Sequence, residues 1–412
     1  MLKEESVVLN SSNSTADNTH SLNASIKALS NCCFTLKAKK SFGVGDEDVD
    51  KDSERKRLKT NKHSFVPLFN NNVYVLNIDV NRSRNDQFLV HLSNNALNIC
   101  DFETLTSIRK IPKWDLNNSC NAFARYYLGK NDSIFNGSFN SNLILVPTNN
   151  SIDLMDLRES KMYKAAISFK AQTVNENLNI ISFDYSADSN LLVAGSEVAV
   201  DQNAYLMLWD MRNNDAWQTW SESHTDDITA VEFHPSKKDF LLSGSDDCLI
   251  NLYDLTQEGE EEALLLTMNA EDSIAKIRWL LDGNKFTCIM QNESIQFWDE
   301  DSVKPSLVVD RDHSIIQSID LKDCRTYDSA IDMWCEGNEV YFAVATNDGL
   351  STVYRYDDNK SKEPFEVHTV LENGHHSLLR SITSVKDKLV TGGEDAIVCL
   401  WQHVKTDADK ES

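Results

Sequence analysis

No stretch of this 412-residue chain stays apolar for the roughly 20 residues that a membrane-spanning helix requires. Its first 31 residues hold Ser and Asn where a secretory signal would hold an apolar run, so a signal peptide is not expected there. Basic charge is scarce: 40 Lys and Arg stand against 64 Asp and Glu, a net charge of -24. Such a chain repels phosphate backbones at long range, and direct nucleic-acid binding is not expected. The nine cysteines include no C-x-x-C pair, which removes zinc, haem and thioredoxin-like readings. Cys100, Cys288 and Cys399 sit in apolar, strand-like runs and read as small buried hydrophobes of a protein in a reducing compartment. Phosphate-binding glycine loops, H-E-x-x-H and G-x-S-x-G are also missing, so no constellation points to an enzyme, a metal or a cofactor.

What the chain does contain is periodic. From Val73 onward, short runs rich in Val, Ile, Leu, Phe and Tyr alternate with Asn, Asp, Gly and Ser clusters, and no helical pattern lasts ten residues. Strand-like runs end on a recurring mark: Asp101, Asp156, Trp209-Asp210, Tyr253-Asp254, Trp298-Asp299, Tyr356-Asp357 and Trp401-Gln402. The spacings are 55, 54, 44, 45, 58 and 45 residues, and the longer ones include polar stretches such as 131–140 and 320–328. In the clearest unit, runs at 228–233, 240–243 and 249–253 precede a fourth at 263–268, and four strands make one propeller blade. Residues 1–32 read as a disordered tail, 41–63 as a charged flexible insertion and 405–412 as a second disordered tail.

The order Ser223-His224, Phe233-His234-Pro235-Ser236, Ser243-Gly244-Ser245-Asp246-Asp247, Tyr253-Asp254 resembles the WD-repeat superfamily. The last unit repeats it with Gly374-His375, Thr391-Gly392-Gly393-Glu394-Asp395 and Trp401. More narrowly, residues 179–300 and 374–402 are similar to the family of WD-repeat-containing protein 89. The resemblance implies an all-β, seven-bladed propeller over residues 33–404, working as a non-catalytic scaffold for other proteins. It further implies a nuclear or nucleolar adaptor, with the cytoplasm as a second location and ribosome biogenesis as the setting. It also implies a buried relay, carried here by His224, Ser243 and Asp247 and by His375, Thr391, Asp395 and Trp401. Asn203 and Asn292 take the relay's Asp position in the third and fifth units, which are therefore expected to rest mainly on packing. The seventh unit lacks an outer strand, and Cys33 to Lys39 is expected to supply it and close the ring.

Residues at the entry to the inner strands form a candidate binding rim: Asn179, Asp226, Asp227, Thr229, Asp272 and Arg380. Arg55, Lys56, Arg57 and Lys59 read as a nuclear localisation signal or as a plain solvated charge run. Trp209-Asp210-Met211-Arg212 resembles the box by which some WD proteins dock on a cullin ligase adaptor; against that stands a local hydrogen bond after a strand end. The run Glu258 to Glu262 suits a basic partner or a solvated connection. The protein is expected to act as a monomeric propeller inside a complex, with no membrane contact.

Overall fold

The computed structural model describes residues 34–41, 73–82, 85–111, 122–127, 142–148, 150–158, 165–171, 178–212, 216–280, 283–311, 327–336, 339–358, 364–385 and 388–403. They form seven four-stranded antiparallel sheets, the blades of a β-propeller. Blade 1 comprises β2 (Val75–Val80), β3 (Gln87–Leu92), β4 (Leu97–Asp101) and β5 (Ser107–Ile111). Blade 2 comprises β6 (Arg125–Tyr126), β7 (Leu143–Pro147), β8 (Ser151–Asp156) and β9 (Ile167–Lys170). Blade 3 comprises β10 (Ile180–Ser186), β11 (Leu191–Ser196), β12 (Leu206–Asp210) and β13 (Ala216–Trp220). Blade 4 comprises β14 (Ala230–Phe233), β15 (Phe240–Gly244), β16 (Leu249–Asp254) and β17 (Leu264–Asn269). Blade 5 comprises β18 (Ile274–Trp279), β19 (Lys285–Met290), β20 (Ile295–Asp299) and β21 (Leu307–Val309). Blade 6 comprises β22 (Ser329–Glu336), β23 (Glu339–Ala345), β24 (Ser351–Tyr356) and β25 (Phe365–Leu371). Blade 7 comprises β26 (Leu379–Val385), β27 (Lys388–Gly393), β28 (Ile397–His403) and the early strand β1 (Phe34–Ser41).

Burial follows position in the blade. Middle strands are covered on both faces by neighbouring sheets, and β7 is buried at every residue. Outer strands keep one face in water, so β5 and β17 alternate buried or half-buried with exposed residues. The apolar core lies between blades. Leu242, Ile250 and Met268 of blade 4 meet Ile277, Phe286 and Trp298 of blade 5. Val390, Val398 and Leu400 of blade 7 meet Val75, Ile78 and Val90 of blade 1, which closes the ring. Cys100, Cys288 and Cys399 are buried in this packing, as their apolar settings imply.

One glycine position recurs because blades approach so closely there. A Cβ on Gly244 would lie 2.6 Å from Ile277 of the next blade, and one on Gly392 would lie 2.4 Å from Val75. Gly195 is held the same way, with the Ile228 side chain at 2.6 Å.

The early strand pairs antiparallel with β28, placing Leu36 opposite Trp401 and Ser41 opposite Ile397. It runs to Ser41, two residues past the expected Lys39, because the backbone ladder continues beyond the apolar alternation. The expected tails, the charged stretch beyond Ser41 with Arg55, Lys56, Arg57 and Lys59, and residues 131–140 lie outside the described residues. The acidic run is not a plain loop: Glu260–Ala263 makes one helical turn, α1, ahead of β17.

Removing residues 34–41 exposes the whole edge of β28 and unties the ring. The truncated chain is expected to melt several degrees below the full chain by circular dichroism. Equal melting temperatures would show that β1 contributes nothing to closure.

Candidate functional site

The two expected relays form. In blade 4, His224 is buried and its Nδ1–H donates to Asp247, with Oδ2 at 3.0 Å. That leaves Nε2 as acceptor for the Ser243 hydroxyl at 2.7 Å. Asp247 also accepts the backbone N–H groups of Thr225 and Leu249, both at 2.9 Å. Burial by itself raises the Asp247 carboxyl, but the His224 hydrogen bond and these amides outweigh it and hold it below its ordinary value. In blade 7, His375 Nδ1 lies 3.2 Å from both Asp395 oxygens, and its Nε2 accepts from Thr391 Oγ1 at 2.8 Å. The Trp401 indole N–H then donates to Thr391 Oγ1 at 2.8 Å. Asp395 is likewise held low: burial opposes this, and the His375 hydrogen bond with the His376 and Ile397 amides prevails.

The two relays differ by a compensated exchange. Gly374 precedes the histidine in blade 7, and a Cβ there would lie 2.4 Å from the Trp401 ring. In blade 4 the smaller Tyr253 stands where Trp401 does, and Ser223 fills the space, accepting from the Tyr253 hydroxyl at 2.9 Å. Asn251, fully buried, adds a hydrogen bond from its amide to the Ser223 carbonyl at 2.8 Å.

Blades 3 and 5 are not held by packing alone. Trp209 donates its indole N–H to the Lys170 carbonyl at the end of blade 2, at 3.1 Å. Trp298 donates to Gln296 at 3.1 Å, and Gln296 donates onward to the Ala270 carbonyl at 2.9 Å. Asn292 accepts the Ser294 amide at 2.8 Å, and Asp201 accepts that of Asn203 at 3.2 Å, so these turns are tied locally.

The aspartates that end the third strands cap the turn that follows. Asp101 accepts from Thr104, Asp156 from Arg158, Asp210 from Arg212 and Asp254 from Thr256. Arg212 grips Asp210 through Nε at 2.8 Å and Nη2 at 2.5 Å, and Arg158 grips Asp156 in the same way. The geometry of the Trp209–Arg212 box thus supports the local hydrogen-bond reading.

The inner strands bring together charges that lie far apart in sequence. Arg125 of β6 pairs with Asp184 of β10 at 3.2 Å. Arg278 of β18 reaches Glu232 of β14 at 3.3 Å and Asp332 of β22 at 3.7 Å. Lys276 lies 3.7 Å from Asp332 and donates to the Ile331 carbonyl at 2.5 Å. Arg125 also acts on Asp332, from blade 2 to blade 6, so these groups converge on the axis. Two carboxylates staple successive blades through backbone amides: Asp79 accepts from Tyr126 at 2.6 Å and Asp184 from Phe233 at 2.8 Å.

On one rim, the loops of blades 3, 4 and 5 interlock. Asp227 accepts the Val198 amide at 2.7 Å, and its carbonyl accepts the Asp246 amide at 2.9 Å. Ser273 donates to the Asp246 carbonyl at 3.0 Å, and Asp272 caps the Ser273 amide at 2.8 Å. Burial raises the Asp246 carboxyl, and the negative charges of Asp227, Asp226 and Asp247 raise it further, which shows how densely acid is packed there. Asp226 is exposed, and Val200, 87% exposed, stands at the tip of the adjoining blade 3 loop. The other expected rim residues are engaged differently. Asn179 donates to Glu197 at 2.7 Å, Arg380 pairs with Glu394, and Thr229 donates to the Ile274 carbonyl, across the seam to blade 5.

A family model for the WD domain, G-beta repeat, matches residues 218–254, the segment from β13 through β16 that carries the blade 4 relay. The chain is a WD-repeat β-propeller. Over 244 residues it is 30% identical to WD repeat-containing protein GTS1 of Arabidopsis thaliana, covering 56% of this chain and 59% of that protein. Over 296 residues it is 25% identical to the WD repeat-containing protein 89 homolog of Dictyostelium discoideum, covering 68% of this chain and 77% of that one. A 101-residue stretch is 25% identical to GATOR2 complex protein WDR24 of Danio rerio, covering 24% of this chain and 13% of that protein. The chain therefore spans under two thirds of the Arabidopsis relative's length.

In this WD propeller the His–Asp–Ser set sits inside a blade. Ser243 has no exposed surface and His224 only 3%, so the hydroxyl faces a blade interior and not a substrate. WD-repeat propellers are in general non-catalytic scaffolds. Among the described residues, no group of three or more His, Cys, Asp and Glu is arranged to hold a metal ion. Sequence reading placed Glu260 in an acidic run for a basic partner or a solvated connection and missed its bracing role: its carboxylate accepts the Ser221, Glu222 and Ser223 amides at 2.6–2.9 Å and so holds the His224 loop. It missed His234 as well, which accepts the Ser236 and Lys237 amides and donates to the Gly283 carbonyl at 2.7 Å, joining blades 4 and 5. The Phe233-His234-Pro235-Ser236 motif was the available signal.

The exchange between relays predicts coupling. Gly374→Ser alone overpacks the Trp401 ring and costs about 1–3 kcal/mol. Trp401→Tyr alone strips Thr391 of its indole donor, at about 1–3 kcal/mol. The double variant recreates the blade 4 arrangement and is expected to lose clearly less than the two single losses combined in urea unfolding. Strict additivity would refute the exchange.

Proposed function

We propose that this protein is an interaction scaffold that holds basic segments of other proteins on its acidic rim, within a nuclear assembly such as one producing ribosomes. The observation that carries this reading is the cluster of carboxylates on the rim of blades 3 to 5, where burial and then the nearby charges of Asp227, Asp226 and Asp247 raise the Asp246 carboxyl. Fixed negative charge on a rigid ring attracts Lys and Arg at long range and selects against acidic partners. Val200, standing out beside that charge, offers an apolar contact for a basic segment that also carries a hydrophobic residue. Similarity to a named subunit of the GATOR2 complex, over a quarter of the chain, supports membership of a larger assembly. Nuclear placement rests on Arg55, Lys56, Arg57 and Lys59, and a reporter fused to residues 41–63 tests it separately.

The direct test is affinity purification of the full chain and of the charge-reversed variant Asp226→Lys/Asp272→Lys, with quantitative mass spectrometry. Neither carboxylate is a relay member, so circular dichroism of the variant should match the parent. Partners with basic segments, ribosome-assembly factors among them, are expected to fall at least about tenfold in recovery, which corresponds to about 1.4 kcal/mol. Unchanged recovery would place the binding surface elsewhere.

A further inference from the structure

Six of the seven blades draw their four strands from consecutive stretches of chain, and blade 7 does not. Its outer strand is β1, held to β28 by a backbone ladder that runs from Phe34 opposite His403 to Ser41 opposite Ile397. From β1 the chain has to reach β2, the inner strand of the neighbouring blade. That link takes 33 residues, 42–74, whereas four residues, 270–273, carry the chain from β17 to β18 between the same two positions in blades 4 and 5. The other links from an outer strand to the next inner strand use between 7 and 19 residues. Strand β1 thus sits on a link far longer than its place in the ring requires. The apolar contact between blades 7 and 1 does not depend on which chain supplies β1. There Val390, Val398 and Leu400 meet Val75, Ile78 and Val90, all from residue 75 onward.

We propose that β1 exchanges between two copies of this chain, the strand of each completing the seventh blade of the other. A ladder is recognised through backbone N–H and C=O groups, and the identical strand of a second copy offers the same groups in the same register. A vacated β28 edge exposes a row of unpaired donors and acceptors, so it recruits a matching strand. The chain's own strand is favoured only by its effective concentration. That quantity is about millimolar on a short link and falls roughly as the −3/2 power of length. Going from four residues to 33 therefore lowers it about twentyfold, to around 50 µM. Above that concentration a second copy competes with the chain's own strand. The exchanged pair is two-fold symmetric and carries two acidic rims in one particle. Exchange does not depend on what those rims hold.

The test uses two full-length variants, Thr35→Cys and Gln402→Cys, whose positions stand opposite one another in the ladder. Each is purified alone; the two are then mixed at about 100 µM under reducing conditions, warmed, and oxidised. Only a β1 of one chain seated on β28 of the other brings the new cysteines together. A covalent dimer holding roughly a quarter of the chain is expected in the mixture. Either variant oxidised alone gives the background due to the native cysteines. Adding Leu36→Pro/Lys39→Pro to the Thr35→Cys chain breaks the ladder and is expected to return the dimer to that background. Should the proline chain fail to fold, excess synthetic peptide of residues 34–41, which competes for the β28 edge, is expected to lower the yield instead. A mixture no richer in dimer than its separate components would overturn the proposal. So would a dimer that withstands both the prolines and the peptide, since the copies would then meet at another surface.

Discussion

Each blade is a small twisted sheet with two apolar faces, and no such sheet is stable with either face in water. Stacking seven of them radially covers every face at once, provided that the first blade also meets the last. That proviso is met by the packing of Val75 and Ile78 against Val390 and Val398, and by the pairing of β1 with β28. The closeness of neighbours dictates glycine at 195, 244 and 392, where any side chain would strike the next blade. The sequence repeat is offset from the blade: the matched segment 218–254 takes its first strand from blade 3 and the rest from blade 4. Each repeat thus binds two blades together covalently.

Within this frame the polar interior solves one problem in several ways. An indole or imidazole N–H buried between sheets requires an acceptor. Blade 7 supplies a Trp–Thr–His–Asp chain, and blade 4 a Tyr–Ser–His–Asp set that also enlists Asn251 and Ser223. Blade 5 supplies only Gln296, and blade 3 borrows a carbonyl from blade 2. The relay is therefore one of several routes to a satisfied blade, and the same demand explains its resemblance to a catalytic set without any substrate-facing nucleophile.

Charge is divided between two places with different consequences. On the axis, opposite charges from strands of different blades pair at 3.2–3.7 Å and tie the inner strands together. On the rim, Asp226, Asp227 and Asp246 lie among like charges, and their field points outward to whatever approaches.

The sequence alone determined the seven-unit architecture, because each third strand ends on an aromatic or apolar residue, followed by Asp in six of the units, and both full relays stand in one register. It also determined the closing strand, since a seventh unit without an outer strand leaves an edge to fill. It did not reveal Glu260 bracing the His224 loop from 36 residues away in the chain, nor the helical turn that presents it. It gave no sign that Arg125, Asp184, Glu232, Arg278 and Asp332 would meet, because residues on five different inner strands become neighbours only when the ring closes. Local pattern encodes which residues form strands and which face they bury. Which charges oppose one another is set by radial geometry, a property of all seven blades together.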